Sequence, residues 1–201
     1  MNISANILHK YISLPTNMRD FRLLLDDLGL EVKKQDQKSS TTDETPDTVF
    51  NLELLANRGD HHCYAGIARE ISGRTGQSIC LPECADIEIG EGPRISIESE
   101  LCFRYSLLEM KLEGEDLSLS ENIRAPLIAA GIHSITAPID ATNLCNLEIG
   151  QPTHTFDADA VVGKITVRQS QIGERAWPLF FEKPIELRKP VLVIADDEKI
   201  L

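Results

Sequence analysis

A chain of 201 residues with 42% hydrophobic content can hold one large or two small domains with buried cores, and two is the expectation here. Its formal charge of -12, with Lys33, Lys34 and Lys38 followed at once by Asp43, Glu44 and Asp47, provides no basic stripe, so strong autonomous nucleic-acid binding is not expected. No apolar run approaches membrane-spanning length and Met1–Asn6 lacks the basic and apolar regions of a signal peptide, which points away from a membrane and toward the cytoplasm.

Along the chain, Thr16 and Asn17 precede Met18, Phe21, Leu24, Leu25 and Leu28 at helical spacing, and Gly29 is the stop. Glu31 begins an extended segment that dissolves between Gln35 and Thr48 into polar residues without a period, a linker or loop. Val49 to Leu54 alternate as a half-buried strand does. Asp60 is the candidate cap of a helix carrying Tyr64, Ile67, Ala68 and Ile71 and ending at Gly73 or Gly76.

Ile95, Ile97 and the run Cys102–Met110 read as strands. Ser120 opens a helix with Ile123, Leu127 and Ala130, closed by Gly131. Pro126 lies inside that pattern, at a cost of about 3 kcal/mol if the helix is unbroken, so a kink or a later start is expected. Lys164–Arg168 and Val191–Ala195 are strands, and Asp196–Lys199 turns the chain into a return strand at Ile200.

Five cysteines, an odd number, suit a reducing compartment better than a disulfide framework. His61-His62-Cys63 with Cys80 and Cys84 invites a zinc reading, but the first cluster falls where a helix is expected and lacks the usual paired spacing, so no metal and no cofactor is expected.

The segment that carries chemistry is Leu147–Asp157, Leu-Glu-Ile-Gly-Gln-Pro-Thr-His-Thr-Phe-Asp. Gly150 can close a helix in the left-handed conformation and Pro152 cannot continue one, so His154 is presented from a rigid corner. Upstream stand Gly131-Ile132-His133-Ser134-Ile135 and Asp140-Ala141-Thr142-Asn143. Together, without a gap, these resemble the editing domain of the bacterial phenylalanyl-tRNA synthetase beta chain, whose pattern is Gly-Ile-Arg-Ser-Ile, Asp-Val-Thr-Asn-Tyr, then Glu-Leu-Gly-Gln-Pro-x-His-Ala-Phe-Asp. Gly29-Leu30-Glu31-Val32, Asn57-Arg58-Gly59-Asp60, Gly66-Ile67-Ala68-Arg69-Glu70, Cys102-Phe103-Arg104-Tyr105 and Leu192-Val193-Ile194-Ala195-Asp196 are similar to further family segments in the same order.

The resemblance implies an α+β fold: a small helix/strand domain over residues 1–85, then the first half of a mixed α/β editing-type domain over 86–201. In the family an OB-fold is inserted in the first domain, and here a polar linker, 38–47, stands in its place. The implied activity is hydrolysis of tyrosine wrongly attached to tRNA(Phe), without the aminoacylation site.

Residue by residue, the family assigns His154 a role in holding or polarising water, and Thr142, Asn143, Pro152 and His133 to substrate contacts. Thr142 and Asn143 equally suit the cap of a helix beginning after Asp140. His133 replaces the family's arginine, trading a permanent fork of donors for a ring that is mostly neutral, which weakens any phosphate contact. Leu179–Pro184 replaces Leu-Asp-Gly, so the tight turn there is lost. The remaining half of the pocket would lie past Leu201.

The implied partners are tRNA(Phe), bound weakly by this chain alone, and the synthetase alpha chain, with self-association through an exposed half-domain edge. Two other readings stay open: a stand-alone trans-editing hydrolase, and a non-catalytic RNA- or protein-binding module.

Overall fold

The structure, a computed structural model, describes residues 1–38, 47–83, 86, 95–112, 119–179 and 181–201. Two units share the chain: Met1–Cys84 with Gly114–Thr155, and Ala85–Glu113 with Phe156–Leu201. Among the described residues the first unit mixes α-helices with a small sheet and the second carries two small sheets and a short 3-10 helix, and the class is α+β. The chain passes from the first unit to the second after Cys84, returns at Gly114 and leaves again after Thr155.

The first unit is organised around β3 (Asp47–Glu53), the centre of a sheet in the order β1-β3-β2. β1 (Asn2–Ser4) pairs antiparallel through Ile3 opposite Phe50, and β2 (Glu31–Lys38) pairs along the whole of β3. The stretch read as a linker from Gln35 to Thr48 is therefore strand as far as Lys38 and again from Asp47. Backbone hydrogen bonds to β3 hold this edge strand, so its outward polar residues need no apolar period. The linker's other residues, 39–46, lie outside the described ones.

Helix α1 (Ala5–Leu8) continues β1, and Ser4 caps it by accepting from Ile7 N at 3.1 Å. α2 (Met18–Asp27) is capped by Asn17 and buries Phe21 and Leu25, as its spacing predicts. Phe21 meets Phe50 edge-on at 5.1 Å between centroids, a favoured aromatic geometry. α3 (Tyr64–Thr75) buries the expected Tyr64, Ile67, Ala68 and Ile71 and stops at Gly76 rather than Gly73. Tyr64 stacks on Tyr11 at 5.8 Å and its hydroxyl accepts from Ser4 N at 2.9 Å, which ties α3 to the start of the chain.

The cap of α3 is Cys63, not Asp60: its Sγ accepts from Gly66 N at 3.3 Å. Asp60 lies in a preceding 3-10 turn, Gly59–His62, where Arg58 binds its Oδ2 at 2.8 Å and reaches Glu70 Oε2 at 2.6 Å. Arg58 is the main cause that lowers Asp60 to about 2 and Glu70 below its ordinary 4.5. Both carboxyls are thus more acidic folded than unfolded, so their stabilisation is complete above pH ~4.5 and is lost as pH falls through the lowered values. Melting temperature followed by circular dichroism should drop between about pH 4.5 and 2, and Arg58→Gln should flatten that drop.

Two further helices complete this unit. α4 (Glu121–Ala130) runs through Pro126 without starting late, with Ile123 N and Arg124 N both donating to Ser120 O. α5 (Ala137–Ile149) buries Asp140 and Leu147. Leu127, Ala129 and Leu147 join the apolar core of β1, β3, α2 and α3.

In the second unit, β4 (Ile95–Ile97) pairs parallel with β5 (Ile165–Gln169), which pairs antiparallel with β8 (Leu192–Ala195). The expected turn follows β8: Asp196 accepts from Glu198 N at 2.9 Å and Lys199 N at 2.7 Å, and Ile200 bridges back to Ala195. Cys102–Met110, read as strand, forms none. Its apolar residues have no sheet partner, and Phe103 is 97% exposed. A small ribbon of β6 (Arg175–Ala176) and β7 (Ile185–Glu186) completes the unit. Among the described residues no helix is long and apolar enough to cross a membrane.

Candidate functional site

Both motif segments are set by α5. Before it, the loop bearing His133 is stapled down by Asp140, 1% exposed, which accepts from Ser134 Oγ at 2.5 Å and from Ile135 N at 2.8 Å. A buried carboxylate in the first turn of a helix also meets the positive end of its dipole. His133 itself is exposed.

α5 begins at Ala137, with Pro138 in its first turn, so Thr142 and Asn143 sit mid-helix and cap nothing. Thr142 donates its hydroxyl to Ile139 O at 2.7 Å, which leaves its oxygen free only as an acceptor. Both residues are half-buried, and their Cβ atoms lie one 100° step apart around the helix.

At the other end, Gly150 is left-handed as expected, φ 75°, and its N–H donates to Asn146 O at 2.9 Å. The chain passes here close to α3: a Cβ on Gly150 would stand 3.1 Å from Cys63 Sγ. Pro152 and His154 follow without regular structure, both exposed, and Gln151 Nε2 donates to Pro152 O at 3.1 Å. The imidazole is thus open to water rather than sealed in apolar packing. His133 and His154 leave opposite ends of α5, whose 13 residues span about 20 Å. Gly150→Ala should cost ~1–2 kcal/mol from the left-handed backbone alone, read as a lower midpoint in chemical denaturation.

Sequence reasoning did not foresee a cleft of about 290 Å3 on the flank of α5, walled by Ile123 of α4 and by Ala141, Leu144, Cys145, Glu148 and Ile149. None of the five expected site residues lines it. Ala141, Leu144, Cys145 and Glu148 repeat at three and four residues, a signal that was present. Burial pushes the Tyr11 hydroxyl far above its ordinary pKa, and the Glu148 carboxylate pushes it further in the same direction.

The zinc reading fares differently. His61, 3% exposed, turns to Glu70 at 3.5 Å, Cys63 is spent as a cap, and Cys84 lies outside the described residues. Among the described residues Asp60, His61 and Glu70 bring ligand atoms within 4.8 Å of one another. Arg58 binds both carboxylates, at Asp60 Oδ2 and Glu70 Oε2, and so offsets one of their two charges.

Residues 111–201, which include α4, α5, the Gly150 corner and His154, match the family model of the B3/4 domain. The chain is 38% identical over 158 residues to the phenylalanine–tRNA ligase beta subunit of Chromobacterium violaceum, covering 77% of this chain. The chain is a relative of the phenylalanine–tRNA ligase beta subunit. The corresponding subunit of Cupriavidus pinatubonensis is 30% identical over 189 residues, 90% of this chain. An N-terminal fragment of the phenylalanyl-tRNA synthetase beta subunit from Pyrococcus horikoshii is similar at a TM-score of 0.47 and 16% identity, over 100% of this chain and 60% of that one. This relative spans only 20% and 23% of the two bacterial subunits.

Proposed function

We propose that this chain serves the quality-control side of phenylalanine–tRNA ligation, hydrolysing tyrosine wrongly attached to tRNA(Phe), while aminoacylation belongs to a synthetase alpha chain. An added hydroxyl is poorly rejected by apolar contacts in a synthetic pocket, so a separate hydrolytic site has a physical purpose. The observation that carries the reading is His154: an exposed imidazole just past a left-handed helix stop, inside the segment that matches the B3/4 domain. A neutral imidazole accepts a proton from water near pH 7 and so can activate it toward an ester. Thr142, Asn143 and Pro152 are the proposed contacts to the aminoacyl end, with His133 a weaker anion contact than the arginine of the family pattern. The acidic chain binds tRNA weakly and acts in the cytoplasm.

Deacylation of Tyr-tRNA(Phe), with Phe-tRNA(Phe) as control, tests this with the purified chain alone and with a synthetase alpha chain added. Selective hydrolysis that needs the alpha chain is the expected result. Hydrolysis by the chain alone would make it a stand-alone trans-editing enzyme, and binding to the alpha chain without hydrolysis a non-catalytic module.

A further inference from the structure

The ribbon of β6 and β7 pairs Arg175 with Glu186 and Ala176 with Ile185, and is continued by Leu187 N donating to Glu174 O at 2.8 Å. Residues two apart share a face, which places Arg175 and Trp177 with Glu186 and Arg188 on one side. All four are exposed, while Ala176 and Leu187 on the other side are half-buried. Trp177 is 67% exposed, and its Nε1 donates to Phe181 O at 2.7 Å, so the indole is held by its edge with its π-face open.

Charge here runs against the rest of the chain. Between residues 175 and 189 stand Arg175, Lys183, Arg188 and Lys189 against Glu182 and Glu186, in a chain of net charge -12. None of these four cations forms an ion pair among the described residues, whereas nearby Arg168 is fully engaged by Glu174 at 2.6 Å. An exposed, anchored aromatic ring among cations that outnumber the nearby carboxylates four to two fits a ligand that is flat and apolar in one part and anionic in its backbone. That is the chemistry of unpaired nucleotides, since every base offers a π-face and every linkage a phosphate. An acidic protein would satisfy the cations but offers a flat group only where an aromatic residue stands, whereas every nucleotide carries one beside its phosphate.

We propose that this ribbon is a contact for single-stranded RNA, with Trp177 stacking a base and Arg175 and Arg188 flanking its phosphates. It overlaps the stretch, Leu179–Pro184, where the chain leaves the family pattern. The choice of RNA rests on the proposed function, but binding needs no aminoacyl ester, so failure here would leave the hydrolytic reading standing, and the reverse.

Trp177 is the sole tryptophan, so its fluorescence reports on the ribbon directly. Titration of the full chain with a short single-stranded RNA should give saturable quenching at low salt, weak and in the non-specific range of ~10⁻⁴–10⁻⁶ M. Binding should weaken as salt rises, weaken in Arg188→Glu and tighten in Glu186→Gln. Trp177→Ala, followed by anisotropy of a labelled oligonucleotide, should bind about tenfold more weakly. Absence of quenching, unchanged binding by Trp177→Ala, or equal quenching by duplex RNA would overturn the assignment. Equal quenching by polyglutamate would do the same and make the ribbon a docking surface for acidic protein.

Discussion

His154→Ala is expected to slow hydrolysis of Tyr-tRNA(Phe) by ~10²–10⁴-fold, the usual share of a positioned general base, while leaving the melting temperature unchanged. The second half follows from exposure: the ring lies past the end of α5 in a segment without regular structure and is no part of the apolar core. Surface substitutions of that kind stay within about 0.5 kcal/mol. Asn143→Ala and Thr142→Val should have smaller effects, mainly on KM, because they would remove contacts made equally in ground and transition states. Cys145→Ser in the neighbouring cleft should leave the rate alone, since that cleft is walled by none of the proposed groups. The measurement is single-turnover deacylation with the alpha chain present. An unchanged rate in His154→Ala would remove the imidazole from the mechanism and with it the hydrolytic reading of the site.

What could be read from residues alone was what depends on local chemistry. Asn17 and the spacing of Phe21 and Leu25 specify α2 because capping and one buried stripe are local conditions. The corner at Gly150 was legible for the same reason: a left-handed stop needs a residue without a Cβ. β1 was missed because three residues make a strand only when Ile3 finds Phe50 some fifty residues away, and β2 ran past its apolar pattern because β3 supplied the partner. Cys102–Met110 shows the converse, strand-forming residues with no strand to pair. For α5 the cue existed: Thr136 before Ala137 and Pro138 is a helix start, but Asp140 and the motif around it drew the boundary too late. The site inherits that mixture, with His154 placed by a local rule and Thr142 and Asn143 moved from a cap to mid-helix by four residues of extra helix, Ala137 to Asp140.

Gly66→Ala should be the most damaging small substitution in the first unit, by ~3 kcal/mol or more, or roughly 6–12 °C in melting temperature. Propensity alone argues the opposite, because glycine inside a helix costs about 1 kcal/mol against alanine. Space decides the sign: a Cβ on Gly66 would lie 1.7 Å from Asp60 O and 3.3 Å from Cys63 Sγ. Asp60 cannot retreat cheaply, since its turn is clamped by Arg58 to Glu70 on the same helix. If Cys63 moves instead, α3 loses its cap and the residue against which Gly150 packs is displaced. Deacylation should therefore fall along with stability, although Gly66 touches none of the proposed contacts. Gly73→Ala is the internal control: it lies in the same helix with nothing within 4 Å of its added Cβ, and it should stabilise by ~0.4–1 kcal/mol. Opposite signs in thermal melts of the two variants would establish that the start of α3 is held by close approach to the Asp60 turn. A stabilised Gly66→Ala would mean that the turn yields, and that the His154 corner is not braced through Cys63.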